Sequence, residues 1–138
     1  MGTAVQLTAV LSTLLLFLTG CGGKGQKRVA VSGEVTFQGQ ALDRGRIQFL
    51  TTQGPRRAAS GAVIHDGRYD IPREQGLEPG VYQVIVESPV VDPGAPREGL
   101  SSPPTKERIP PEYSSAQESQ LKVEITAGAA NRFDVTIE

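Results

Sequence analysis

An all-β fold, an antiparallel seven-stranded Greek-key β-sandwich, is the class this sequence predicts, and three observations carry the prediction. Short runs of alternating apolar and polar residues recur between residues 29 and 138, and a period of two lays alternate side chains on one buried face. Glycine- and proline-rich turns separate these runs, as at Gln38-Gly39-Gln40, Gln53-Gly54-Pro55 and Asp66-Gly67. No part of the region reads convincingly as a helix, which leaves sheet packed on sheet as the way to bury the apolar faces.

Taken in order, Val29, Val31, Gly33, Val35 and Phe37 alternate with Ala30, Ser32, Glu34 and Thr36 to give the first strand. Ile47, Phe49 and Thr51 alternate with Arg46, Gln48 and Leu50 as the second, and Ala58 to His65 forms the third. Asp66-Gly67 joins it to Arg68-Tyr69-Asp70-Ile71, a tight hairpin signal, because glycine tolerates the positive φ of a primed turn. Pro72 to Gly80 is a connection with Leu77 as its large apolar residue. Val81 to Glu87 follows, with Tyr82, Val84 and Val86 on one face. Leu121 to Ile125 alternates cleanly, and after Gly128-Ala129-Ala130-Asn131 the closing strand turns Phe133, Val135 and Ile137 inward.

One stretch breaks the rhythm. Ser88 to Gln120 holds seven of the ten prolines, and Pro103-Pro104 and Pro110-Pro111 argue against regular strand or helix there. A long proline-rich connection before the last two strands is thus expected to lack secondary structure. Such loops are often functional, which makes it the expected recognition surface. Ile109, Tyr113 and Leu100 are its residues for docking on a sheet edge.

The chain has 138 residues and a net charge of −1, with nothing in it to draw nucleic acid over long range. Its Lys and Arg lean toward residues 24–73 and its acids toward 74–138, with Arg56-Arg57 the densest basic point. These read as solvated charges on strand faces and loop tips.

The first twenty-one residues carry a different message. The uncharged run Ala9 to Leu18 leads to Leu18-Thr19-Gly20-Cys21, and Cys21 is the only cysteine. This ten-residue stretch falls short of the roughly 20 apolar residues that a transmembrane helix needs, and small residues precede the cysteine as at a leader cleavage site. No Lys or Arg occurs before Lys24, so the usual basic start of a leader is missing. The pattern resembles the lipobox of bacterial lipoproteins. That resemblance implies a signal peptide over residues 1–20 and lipidation at Cys21 with palmitate-type acyl chains. It implies a flexible tether over 21–28, a domain over 29–138, and a protein exported and lipid-anchored to a bacterial membrane, facing the periplasm or the cell exterior.

The domain's motifs resemble a family as well. Val31-Ser32-Gly33-Glu34-Val35, Gly45-Arg46-Ile47-Gln48-Phe49, Asp66-Gly67-Arg68-Tyr69 and Leu77-Glu78-Pro79-Gly80-Val81-Tyr82 look like the carboxypeptidase regulatory-like, transthyretin-like (prealbumin-type) β-sandwich. The Ile109-Pro110-Pro111-Glu112-Tyr113 segment adds a likeness to small lipoproteins of planctomycete-type bacteria. The resemblance implies structural roles: Gly33 makes room for the core or a crossing strand, and Tyr69 and Tyr82 fill the interior.

For chemistry the pattern is poor. A zinc site needs several His, Cys or acidic ligands, and the chain has one histidine, His65, which reads as a strand-end surface residue. Asp92 and Glu98 lack the dense oxygen ligands of a calcium loop. No phosphate loop or nucleophile elbow occurs. The expectation is a noncatalytic membrane-anchored envelope or surface lipoprotein, not an enzyme, with no cofactor, no metal site and no catalytic residue. It would contact membrane lipid through Cys21, and an envelope protein or polymer through Ser88–Gln120 or a sheet edge. The alternatives are a carbohydrate- or small-ligand-binding lipoprotein and, remotely, a small hydrolase.

Overall fold

A computed structural model describes residues 27–138 apart from Gly54, Arg56 and Ala129. Along the chain the strands are β1 (Val31–Phe37), β2 (Gln40–Ala41), β3 (Arg44–Thr51), β4 (Ala58–His65) and β5 (Arg68–Ile71). A 3-10 turn (Arg73–Gln75) leads to β6 (Gly80–Glu87), β7 (Pro89–Val91) and β8 (Thr105–Glu107). A one-turn helix, α1 (Pro111–Ser114), precedes β9 (Lys122–Ile125), β10 (Asn131–Arg132) and β11 (Val135–Ile137). The seven expected strands are all present, within two or three residues at their ends.

The strands form one curled sheet of order β10-β1-β5-β4-β3-β6-β9, with β11 and β2 also paired to β1, and a small sheet of β7 and β8. The tight turns behave as glycine chemistry dictates. At Asp66-Gly67 both residues have positive φ, 49° and 77°, the primed geometry that matches strand twist. The β4–β5 ladder then ends after the single bridge His65↔Arg68, and β5 goes on to pair with β1 from Arg68 to Ile71. This divergence curls the sheet around its own apolar face. Inside lie Val31 and Val35 of β1, Phe49 of β3, Ile64 of β4, Tyr69 of β5, Val84 of β6 and Ile137 of β11, all buried. The Phe49 ring meets those of Tyr69 and Phe133 at 6.2 and 6.5 Å.

Two expectations are corrected. The ladders are antiparallel except at the C-terminus, where β10 and β11 run parallel to β1. The reason is topological. Direction alternates along β1-β5-β4-β3-β6-β9, so a strand that reverses after β9 runs the same way as β1, and it lies beside β1 at the far end of the order. Gly33 permits the crossing: a Cβ there would stand 1.9 Å from the Phe133 carbonyl oxygen and 2.9 Å from the Tyr69 ring. Where β10 gives way to β11, the Asp134 carboxylate accepts the Glu34 backbone N–H at 2.8 Å. That N–H and the Arg132 guanidinium hold the Asp134 carboxyl below its ordinary value.

The second correction concerns Ser88–Gln120, which is not structureless. Three of its prolines sit where no backbone N–H is needed: Pro89 opens β7, Pro104 precedes β8 and Pro111 begins α1. Ile109 is buried in the core and Tyr113 packs against it, whereas Leu100 is exposed and lies outside the core cluster. The segment also covers the outer face of β6. There the Gln83 amide donates to the Ser119 carbonyl at 2.6 Å, and the Ser119 hydroxyl donates to the Val84 carbonyl at 2.6 Å.

Candidate functional site

The most built polar cluster fastens both roots of the β7–β8 arm to the sheet. Ser88, fully buried, donates its hydroxyl to the Arg44 carbonyl at 2.5 Å and accepts Arg108 Nε at 2.9 Å. The Glu107 carboxylate accepts the backbone N–H groups of Ser88 (2.9 Å) and Ile109 (2.8 Å). Arg108 also pairs with Asp43 and lies over the Phe37 ring, 6.0 Å from its centroid. Its guanidinium hydrogen bond is the main cause of a lowered Asp43 carboxyl pKa. These groups satisfy one another, and the geometry is that of a fastening: Ser88 offers no accessible nucleophile, and its hydroxyl faces a carbonyl and a cation rather than a base.

What this fastening presents is an exposed arm. Val90, Val91 and Leu100 stand 38%, 52% and 56% exposed on it, and Asp92 turns its tip by accepting the Gly94 N–H at 2.9 Å. The arm and the chain's entry are at opposite ends of the domain. Val29, two residues before β1, bridges Leu77 just ahead of β6, whereas the arm leaves β6 after Glu87 and fastens beside Phe37, the last residue of β1. A seven-residue strand spans about 23 Å, which separates the two.

The second surface is the outer edge of β4. This strand pairs with β3 along its length but with β5 at His65 alone. The Asp66 N–H donates to the Asp43 carbonyl at 2.9 Å. Because bonded and non-bonded pairs alternate in an antiparallel ladder, Ile64, Ala62 and Ser60 turn their backbone groups to β3, and Val63 and Gly61 turn theirs to the open edge. The run Ala58 to Ile64 contains no charge and no proline, and Val63 is 73% exposed. A bulge at the Phe49/Leu50 step and a hydrogen bond from the Ser60 hydroxyl to the Gln75 carbonyl (2.5 Å) occupy its beginning.

Two open grooves also lie among the described residues. One, of about 550 Å³, is lined by Thr52, Gln83, Gln117, Glu118, Ser119 and Lys122 among others. The other, of about 540 Å³, lies by Glu34, His65, Arg68 and Arg132. In it Glu34 contacts Arg68 at 3.6 Å and Arg132 at 3.5 Å, exposed pairs of small energetic weight.

The residues singled out by sequence are distributed as follows. The leader 1–20, Cys21 and the start of the tether lie outside the described residues. His65 is exposed at the end of β4, its Nδ1 3.0 Å from the equally exposed Asp66 carboxylate. Among the described residues, no group of three or more His, Cys, Asp or Glu could hold a metal ion, and no helix is long and apolar enough to cross a membrane. Sequence reasoning did not find the Ser88–Glu107–Arg108–Asp43 fastening. Its one visible trace is the charged pair Glu107-Arg108 directly before the buried Ile109. Comparisons of the chain with protein-family models, curated proteins and solved structures gave no match.

Proposed function

We propose that this chain is a noncatalytic, lipid-anchored envelope lipoprotein. Its domain is a Greek-key sandwich of the carboxypeptidase regulatory-like, transthyretin-like type, and its β7–β8 arm contacts another envelope protein or polymer. The observation that carries the reading is the arm's position. It is rooted by a satisfied polar cluster, exposes Val90, Val91 and Leu100, and leaves the domain opposite the end at which the chain enters. A tether from Cys21 would hold the entry end toward lipid and turn the arm away from it. Anchoring by two or more acyl chains is stable, since each buried CH₂ contributes about 0.8 kcal/mol.

Two measurements test this. Intact mass of the mature protein should show a diacylglyceryl-modified chain starting at Cys21, and Cys21→Ala should leave the membrane fraction. An unmodified start, or an uncleaved leader, sinks the anchor. For the arm, capture from intact envelopes is compared between the native protein and Val91→Glu/Leu100→Glu, which leaves Ile109 and the fastening in place. Recovery of the same partner by both proteins rules the arm out as the contact. A second reading, binding of a carbohydrate or small polar ligand, draws on the amide-rich groove beside Gln83 and Gln117. Calorimetric titration with oligosaccharides of the envelope tests it.

A further inference from the structure

We infer that the open edge of β4 pairs with β4 of a second copy, antiparallel and about a two-fold axis at Ala62. The inference concerns a different surface from the arm and does not depend on the anchor. An uncovered strand edge is a template for another strand unless charge, proline, a bulge or a covering segment blocks it. On β4 the bulge and the Ser60–Gln75 contact block the beginning, and β5 takes His65 at the end. Between them Ser60 to Ile64 remains open, without charge or proline.

The geometry of that stretch is self-complementary. Gly61 and Val63 carry the outward backbone N–H and C=O groups, and a two-fold axis at Ala62 sets each Gly61 opposite the Val63 of the other copy. Both residues then exchange two hydrogen bonds, as a bonded antiparallel pair requires. The exposed Val63 side chain meets a position with no side chain, so its apolar surface is covered without crowding. No charged side chain lies between Ser60 and Ile64, so the pairing sets no like charges against one another. A closed isologous contact of this kind stops at two copies.

The experiment compares the full chain with Val63→Lys, in detergent, by sedimentation with the detergent mass subtracted and by amide hydrogen exchange. Val63 is 73% exposed, so the lysine leaves the core alone, and an unchanged thermal melt verifies this. Val91→Lys, on the arm, serves as the control. The native chain and V91K should sediment at twice the chain mass and V63K at the single-chain mass. The Gly61 and Val63 amides should exchange at least about tenfold more slowly in the native chain than in V63K. A native chain of single mass would overturn the inference, whether or not those amides are protected. A dimer that survives V63K would overturn it too, as would a dimer whose Gly61 and Val63 amides exchange freely.

Discussion

Replacing Gly33 with alanine tests how the C-terminal strand is held. The added Cβ would stand 1.9 Å from the Phe133 carbonyl oxygen and 2.7 Å from its carbon, both backbone atoms. No rotamer change can relieve that, so the crossing chain must move by more than 1 Å. Moving it puts at risk the hydrogen bonds from the Phe133 N–H to the Ser32 carbonyl (2.9 Å) and from the Tyr69 hydroxyl to the Phe133 carbonyl (2.6 Å). Overpacking costs about 1–3 kcal/mol, and two weakened hydrogen bonds add about 1 kcal/mol each. A loss of roughly 3–5 kcal/mol is expected, a large share of the roughly 5–15 kcal/mol of an ordinary domain. In urea the midpoint should fall with the slope unchanged, and the melting temperature should drop by about 12–20 °C at roughly 4 °C per kcal/mol. Gly94→Ala is the control, since its added Cβ meets its nearest neighbour, Asp92 Oδ1, at an ordinary 3.5 Å. A Gly33→Ala protein within about 1 kcal/mol of the native one would refute the close crossing, because overpacking alone predicts at least that much.

Two further outcomes follow from named contacts. Ser88→Ala removes a buried hydroxyl that serves both Arg44 and Arg108. A loss of about 2 kcal/mol is expected, together with faster proteolysis between residues 92 and 104, where the arm tip is exposed; unchanged cleavage would mean that the fastening does not hold the arm. At alkaline pH, burial foremost, then the charge of Asp134, raises the Tyr69 phenol well above its ordinary value, and burial then Glu78 raise Tyr82. Unfolded tyrosine ionises near pH 10, so stability is full below that pH and is lost as pH climbs past it. Tyr69→Phe lacks the bond to Phe133 and should be about 1 kcal/mol less stable at neutral pH. It should also lose less on going to alkaline pH, and urea midpoints that fall in parallel for the two proteins would contradict this.

Local chemistry made most of the fold legible. Alternation placed β1, β3, β6 and β9, because a period of two on a half-buried strand is written into neighbouring residues. Asp66-Gly67 set its hairpin to the residue, since the primed turn constrains only the two residues that form it. The Pro-rich connection misled for a local reason as well. Proline removes an N–H, which forbids the interior of an element but suits its first position, and Pro89 and Pro111 stand at the first positions of β7 and α1.

By itself, then, the sequence determined the all-β class, the seven longer strand segments, the inward faces and the structural part of Gly33. It also carried the Cys21 signal on which the proposed anchoring rests. Tertiary structure alone decided that the last strand runs parallel to β1, that Arg108 joins Asp43 to Ser88, and that β4 has an open edge. Each depends on residues dozens of positions apart, Asp43 and Arg108 being 65 residues from one another. Their meeting is set by how the whole sheet curls after the single His65↔Arg68 bridge, and no short window of sequence contains that.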